Sequence, residues 1–115
     1  MYQQHRMKLE VDALMAALAQ TRRLLRQHGE KFASARLEEL EARLARGDWT
    51  AVQDAVSEAT GGMGSLRDRI LSAINGDEIT RDEEPAVNAR LEGLVRRVEA
   101  TARDAAAVLG VGLIG

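Results

Sequence analysis

Cysteine is missing altogether from these 115 residues. That removes disulfides, thiolate zinc sites and thiol nucleophiles together, and it fits a reducing, cytoplasmic setting. Proline occurs once and aromatic side chains three times, as one Trp, one Tyr and one Phe. A chain so poor in aromatic residues, and dominated by Ala, Leu, Arg and Glu, favours helices with aliphatic cores over a sheet rich in aromatic and β-branched residues. Charge of one sign is also scarce. Sixteen basic and eighteen acidic side chains leave a net charge of -2, which gives no long-range pull toward nucleic acid or an anionic membrane. Long apolar runs are absent too. The longest, "AAAVLGVGLIG" at residues 105–115, falls short of the roughly 20 residues a membrane span needs. The start, "MYQQHRMKLEVDALMA", has no apolar stretch of signal-peptide length. A soluble single domain over 1–115 is expected, large enough to bury one core without a covalent staple.

What is present is helical periodicity. From about Gln4 to His28, Met7, Val11, Leu14, Leu18, Thr21 and Leu25 follow steps of three and four, with Met15 and Leu24 widening the stripe. Arg22, Arg23 and Arg26 suit the C-terminal end of the dipole, and Gly29 reads as the stop. A second helix is expected over Glu30–Arg46, with Ala33, Leu37, Leu40 and Leu44 on one face and Gly47 at its end. Asp48 can cap a short third helix lined by Trp49, Val52, Val56 and Ala59. After the glycines, Ser65 can cap a fourth carrying Leu66, Ile70, Leu71 and Ile74, and "NGDE" at 75–78 is then a turn. The last begins in "RDEEPAVNARLEG", with Asp82 as cap, Glu83 and Glu84 at the positive end of the dipole and Pro85 in the first turn. Its stripe runs through Val87, Leu91, Leu94, Val98, Ala102, Ala105 and Leu109, until Gly110 and Gly112 end it. The expected fold is an all-α bundle, two long helices (N- and C-terminal, roughly 40 Å each at helical rise) covered by about three shorter ones. A length mismatch of this kind leaves apolar overhang on the long pair, which a homodimer would cover.

The segments "LLRQHGEKFA", "ARLARGDWTAVQDAVSEATGGMGSLRD" and "NARLEGLVRRVEATA" resemble a family of small bacterial helical proteins of unknown function. The resemblance rests on Gly47, Asp48 and Trp49, on the G-G-M-G-S turn from Gly61 to Ser65, and on Asn88, Arg90 and Leu91. It covers most of the chain and implies a helical fold without an activity. Arg67 stands where a small amide is expected beside Asp68, and Phe32 stands near a position expected to hold tryptophan.

The glycine-rich turn is the first candidate site. A Walker loop needs a lysine after its last glycine and normally follows a strand, whereas Gly64 is followed by Ser65 alone and the preceding segment reads as helix. Arg67 occupies the place of the third glycine of a dinucleotide fingerprint. What remains is a small anion or nucleotide held by free amides at residues 61–65, with Gly62, Gly64, Ser65, Arg67 and Arg69 as its contacts. Asp68 opposes it by competing for those amides. The plainer reading makes this a C-cap and a close helix approach. Metal chemistry fails on spacing: His5 and His28 lie roughly 35 Å apart on one helix and read as surface residues. The carboxylates Glu38, Glu39, Glu41, Asp82, Glu83 and Glu84 are spread around helix axes as a solvated face, with nothing to converge them for acid–base work. Residues 51–74 read as helix, turn, helix, the one hook for nucleic acid, although Asp68 would face phosphates. Trp49 reads either as a core plug or as an anchor for a partner. The reading that best fits many apolar helical faces without a catalytic constellation is a non-enzymatic protein–protein interaction module. It needs no cofactor and no membrane, and its partner is a second copy or another cytoplasmic protein, with regulation or immunity among the roles open to it.

Overall fold

A computed structural model describes residues 2–61 and 65–110. Helix α1 spans Tyr2–Gln27, α2 Lys31–Ala45, α3 Thr50–Thr60 and α4 Glu84–Leu109. A single 3-10 turn, Leu66–Asp68, follows α3, and a strap of residues 69–83 leads into α4. No strand occurs among the described residues. The molecule measures 50 × 25 × 20 Å, a cross-section of two helix diameters by two.

Chain direction is legible in the ion pairs. Arg22 and Arg26 of α1 reach Glu41 and Glu38 of α2, and Arg36 and Arg43 of α2 reach Glu58 and Asp54 of α3. In each couple one number rises as the other falls, so neighbouring helices run antiparallel. The strap returns to the end of α1, where Glu78 N–H donates to the His28 carbonyl at 2.8 Å, so α4 starts beside the end of α1 and runs back along it. The long helices pack on each other; α2 covers α1 and α3 covers α4. Leu14, Leu18, Leu25, Leu37, Val52, Leu91 and Val98 are fully or almost fully enclosed between them.

Both inter-helix stops follow one geometry. Gly29 N–H donates to the Arg26 carbonyl and Glu30 N–H to Leu25, while Gly47 N–H donates to Leu44 and Asp48 N–H to Arg43. These are Schellman closures, which need a left-handed residue at the glycine; φ is 77° at Gly29 and 80° at Gly47. A Cβ at Gly29 would also come within 3.1 Å of Glu78 Cγ. Gly29→Ala should therefore cost about 1–2 kcal/mol by forcing an L-residue into that region. A urea melt checks this.

Three sequence expectations give way here. The fourth helix, expected to carry Leu66, Ile70, Leu71 and Ile74, is one 3-10 turn followed by extended chain and a tight turn. The reason lies in its backbone donors. The amides of four successive residues go to side-chain oxygens: Leu71 to Asn88 Oδ1 (2.8 Å), Ser72 to Asp77 Oδ2 (2.9 Å), Ala73 to Glu84 Oε1 (2.7 Å) and Ile74 to Ser72 Oγ (3.2 Å). An isolated helix this short is marginal, and acceptors on α4 and within the strap itself outcompete it. With it goes the helix-turn-helix unit over 51–74, which has no second helix to place in a groove. The cap of α4 also moves. Thr80 and Glu83 form a capping box: Thr80 N–H and its hydroxyl donate to Glu83 Oε1, and Glu83 N–H donates to Thr80 Oγ1, while Asp82 stays exposed. His28 is buried at 6% exposure, against the expected surface position; His5 is exposed as expected. Its Nδ1 lies 2.7 Å from the Glu78 carbonyl oxygen, which can only accept, so Nδ1 carries the proton.

Candidate functional site

The residues singled out in sequence do not converge. Trp49 immediately precedes α3, a helix of eleven residues about 16 Å long, whereas Ser65 follows its far end, where Leu66 N–H reaches back to Glu58. Trp49 is half-buried against the core and borders a cavity of about 310 Å³ with Met7, Val11, Met15 and Leu44, so it is neither a sealed plug nor a free anchor. Asp48 is not the cap of α3 as expected: Trp49 holds that position without a side-chain cap bond, and Asp48 closes the turn before it by accepting from Thr50 N–H at 3.2 Å and from the Thr50 hydroxyl. Arg43 ties the corner together through Asp48 (3.0 Å), Asp54 (2.7 Å) and Thr50 Oγ1 (2.7 Å).

At the other end of α3, Gly62, Met63 and Gly64 lie outside the described residues, as do Gly112 and the rest of the tail from 111 to 115. Around them, most of the groups an anion would use are engaged. Leu66 N–H donates to Glu58 Oε1 at 3.2 Å, and Glu58 is held by Arg36 at 2.9 and 3.2 Å. Arg69 Nη1 reaches Glu30 Oε2 at 2.9 Å, and Arg67 Nη1 lies 3.5 Å from Glu99 Oε1. The Ser65 hydroxyl and Arg69 Nε are buried without a hydrogen-bond partner among the described residues.

Glu30, which sequence reading placed in α2 without a role, links two elements. It is 8% exposed, caps α2 through Ala33 N–H at 2.9 Å and pairs with Arg69 of the strap. Asn88 is the second residue without an expected part. Its amide accepts from Leu71 N–H and donates to the Leu71 carbonyl, each at 2.8 Å, and donates to the Glu84 carbonyl at 2.9 Å. With Leu71 and Ile79 buried beneath, the strap is fastened across the end of the bundle where α1 stops and α2 and α4 begin.

That fastening leaves large apolar side chains outside. Extended residues alternate sides, so with Leu71 turned inward Ile70 turns outward. Ile70 is 64% exposed, Ile74 81% and Phe32, in the first turn of α2, 82%. Beside Ile70 a groove of about 440 Å³ runs between the strap and α4, its floor lined by Leu66, Leu91 and Val95 and its walls by Pro85, Ala89, Asn88, Glu92, Arg67 and Arg69.

The electrostatics of the carboxylates are structural. Asp48 sits below its ordinary value through the Thr50 hydroxyl first and then Arg43, and Glu83 through the Thr80 amide and hydroxyl. Glu41 holds Arg22 above its ordinary value by hydrogen bonds of 2.6 and 3.1 Å. A carboxylate depressed in the folded state binds its proton more readily when unfolded. Its stabilising effect is complete above the unfolded value and is lost as pH falls through the folded one. Melting temperature should therefore decline below about pH 4, and Asp48→Asn with Glu83→Gln should flatten that decline in a pH series of thermal melts. No three metal-ligating side chains cluster among the described residues, and no described helix is long and apolar enough to cross a membrane. Comparison with protein-family models, curated proteins and solved structures finds no match to this chain.

Proposed function

We propose that this chain works through protein–protein contact and carries out no catalysis of its own. The observation that carries the reading is the placement of Phe32, Ile70 and Ile74. Among the described residues, three of the four large apolar side chains left exposed belong to one end of the bundle, on elements that Glu30, His28 and Asn88 hold in place. Apolar side chains held outside a core by a rigid frame are what a binding surface requires, because ordering costs are already met. The partner is another protein or a second copy of the chain, met in a reducing cytoplasm if the absence of cysteine reflects its compartment. Capture from host lysate with the tagged chain tests the reading. One protein should be recovered in near-stoichiometric amount, insensitive to nuclease, and lost when Ile74→Asp replaces the wild type. Capture that is identical for Ile74→Asp, or that disappears with nuclease, contradicts it.

The alternative, a small anion or nucleotide at the turn 61–65, has two points in its favour, the unpartnered Ser65 hydroxyl and the unpartnered Nε of Arg69. Against it stand the carboxylate of Glu58 already on the Leu66 amide and the pairing of both arginines. A phosphate-dependent rise in melting temperature, abolished by Ser65→Ala, is what it requires.

A further inference from the structure

The chemistry of the partner is legible in the charge around the two strap isoleucines. Between Asp68 and Glu84 there are six carboxylates, at 68, 77, 78, 82, 83 and 84, and two cations, Arg69 and Arg81. This stretch is net −4 while the whole chain is −2. Arg69 is already paired with Glu30, which leaves Arg81 as the one cation of the stretch without an ion pair among the described residues. Glu78 and Asp82 are exposed. Ile70 and Ile74 stand four residues apart in this acidic stretch, on a backbone fixed by Asn88, Asp77, Glu84 and Ser72; Arg67 and Arg69, which flank Ile70, are paired with Glu99 and Glu30.

Resting on the interaction reading above, we propose that the strap binds a basic amphipathic segment of another protein, with Ile70 and Ile74 receiving its apolar side and the flanking carboxylates receiving its Lys and Arg side chains. Complementary potential raises the encounter rate and excludes wrong partners. The same field argues against the other occupants. A two-fold dimer through this face would set net −4 against net −4, and anionic lipid or nucleic acid would be repelled. Apolar anchors set inside a charged rim give a surface whose affinity comes from the anchors and whose selectivity comes from the rim.

The test uses the full chain and two labelled synthetic peptides of about 18 residues, one built from Leu and Lys on opposite helix faces and one from Leu and Glu. Fluorescence anisotropy is read at low and high salt, against the wild type, Ile70→Ser/Ile74→Ser and Glu78→Lys/Asp82→Lys. The Lys peptide should bind, roughly tenfold more weakly to each double variant, and more weakly at high salt. The Glu peptide should not bind. Ile74→Ser alone, at a side chain 81% exposed, supplies the measurement should the double variant fail to fold. Lys-peptide binding that ignores the isoleucines is charge attraction alone and overturns the proposal, as does no binding. If the Glu peptide binds through the same isoleucines, the basic partner is wrong while protein–protein contact stands. Self-association in sedimentation that Ile74→Ser abolishes assigns the face to a second copy and overturns the proposal likewise.

Discussion

Leu71→Ala should lower the unfolding free energy by about 3 kcal/mol, within the range for emptying a buried leucine site. Leu71 is fully buried although it lies in no helix, enclosed between the strap and the bundle. Removing its side chain leaves a cavity where the neighbouring backbone is held by Asn88 and Glu84 and cannot collapse freely. Urea denaturation followed by far-ultraviolet circular dichroism should show a lower midpoint with an unchanged slope, since the surface exposed on unfolding stays nearly the same. Ile70→Ser and Ile74→Ser, close neighbours with exposed side chains, should shift stability by less than about 0.5 kcal/mol. A loss at Leu71 no larger than at Ile74 would mean the strap is not packed as described.

Asn88→Ala should cost about 2–3 kcal/mol. One side-chain amide serves both the N–H and the carbonyl of Leu71, and its removal strands two backbone groups at once. Asn88→Asp separates geometry from charge. It keeps an acceptor for the Leu71 amide but turns a carboxylate oxygen toward the Leu71 and Glu84 carbonyls, so it should not restore stability. Because Asn88 and Leu71 act on the same few residues, the double variant should lose less than the two single losses added together. Hydrogen exchange gives an independent reading: the Leu71 amide should be protected in the wild type and exchange quickly in Asn88→Ala.

The long helices and their buried faces were legible in sequence because periodicity reports a local property. The stripe Val11, Leu14, Leu18, Leu25 and the stripe Leu91, Val98, Ala102, Ala105 are both buried. Gly29 and Gly47 end helices because a left-handed closure is a local demand as well. The strap was not legible. Leu66, Ile70, Leu71 and Ile74 have helical spacing, and only acceptors from α4 and the strap's own side chains show that the amides of 71–74 are spoken for. Thr80 and Glu83 did carry a signal, the T-x-x-E pattern of a capping box, and Asp82 within it drew the cap to the wrong residue. The burial of His28 has no sequence signal, since its partner is fifty positions away. Of the expected contacts, Trp49, Ser65, Arg67 and Arg69 are occupied with packing, burial or ion pairs. The surface that stands out instead, Ile70 and Ile74, belonged to the expected fourth helix.

Site-specific photo-crosslinking in the living host tests the central claim most directly. A benzophenone side chain is placed singly at Phe32, Ile70 and Ile74, and at Arg97 on the exposed side of α4 as a control. Crosslinking from the strap and Phe32 positions to one protein, with none from position 97, is the result expected of an interaction surface at this end of the bundle. Equal labelling from all four positions, or none from any, would contradict it.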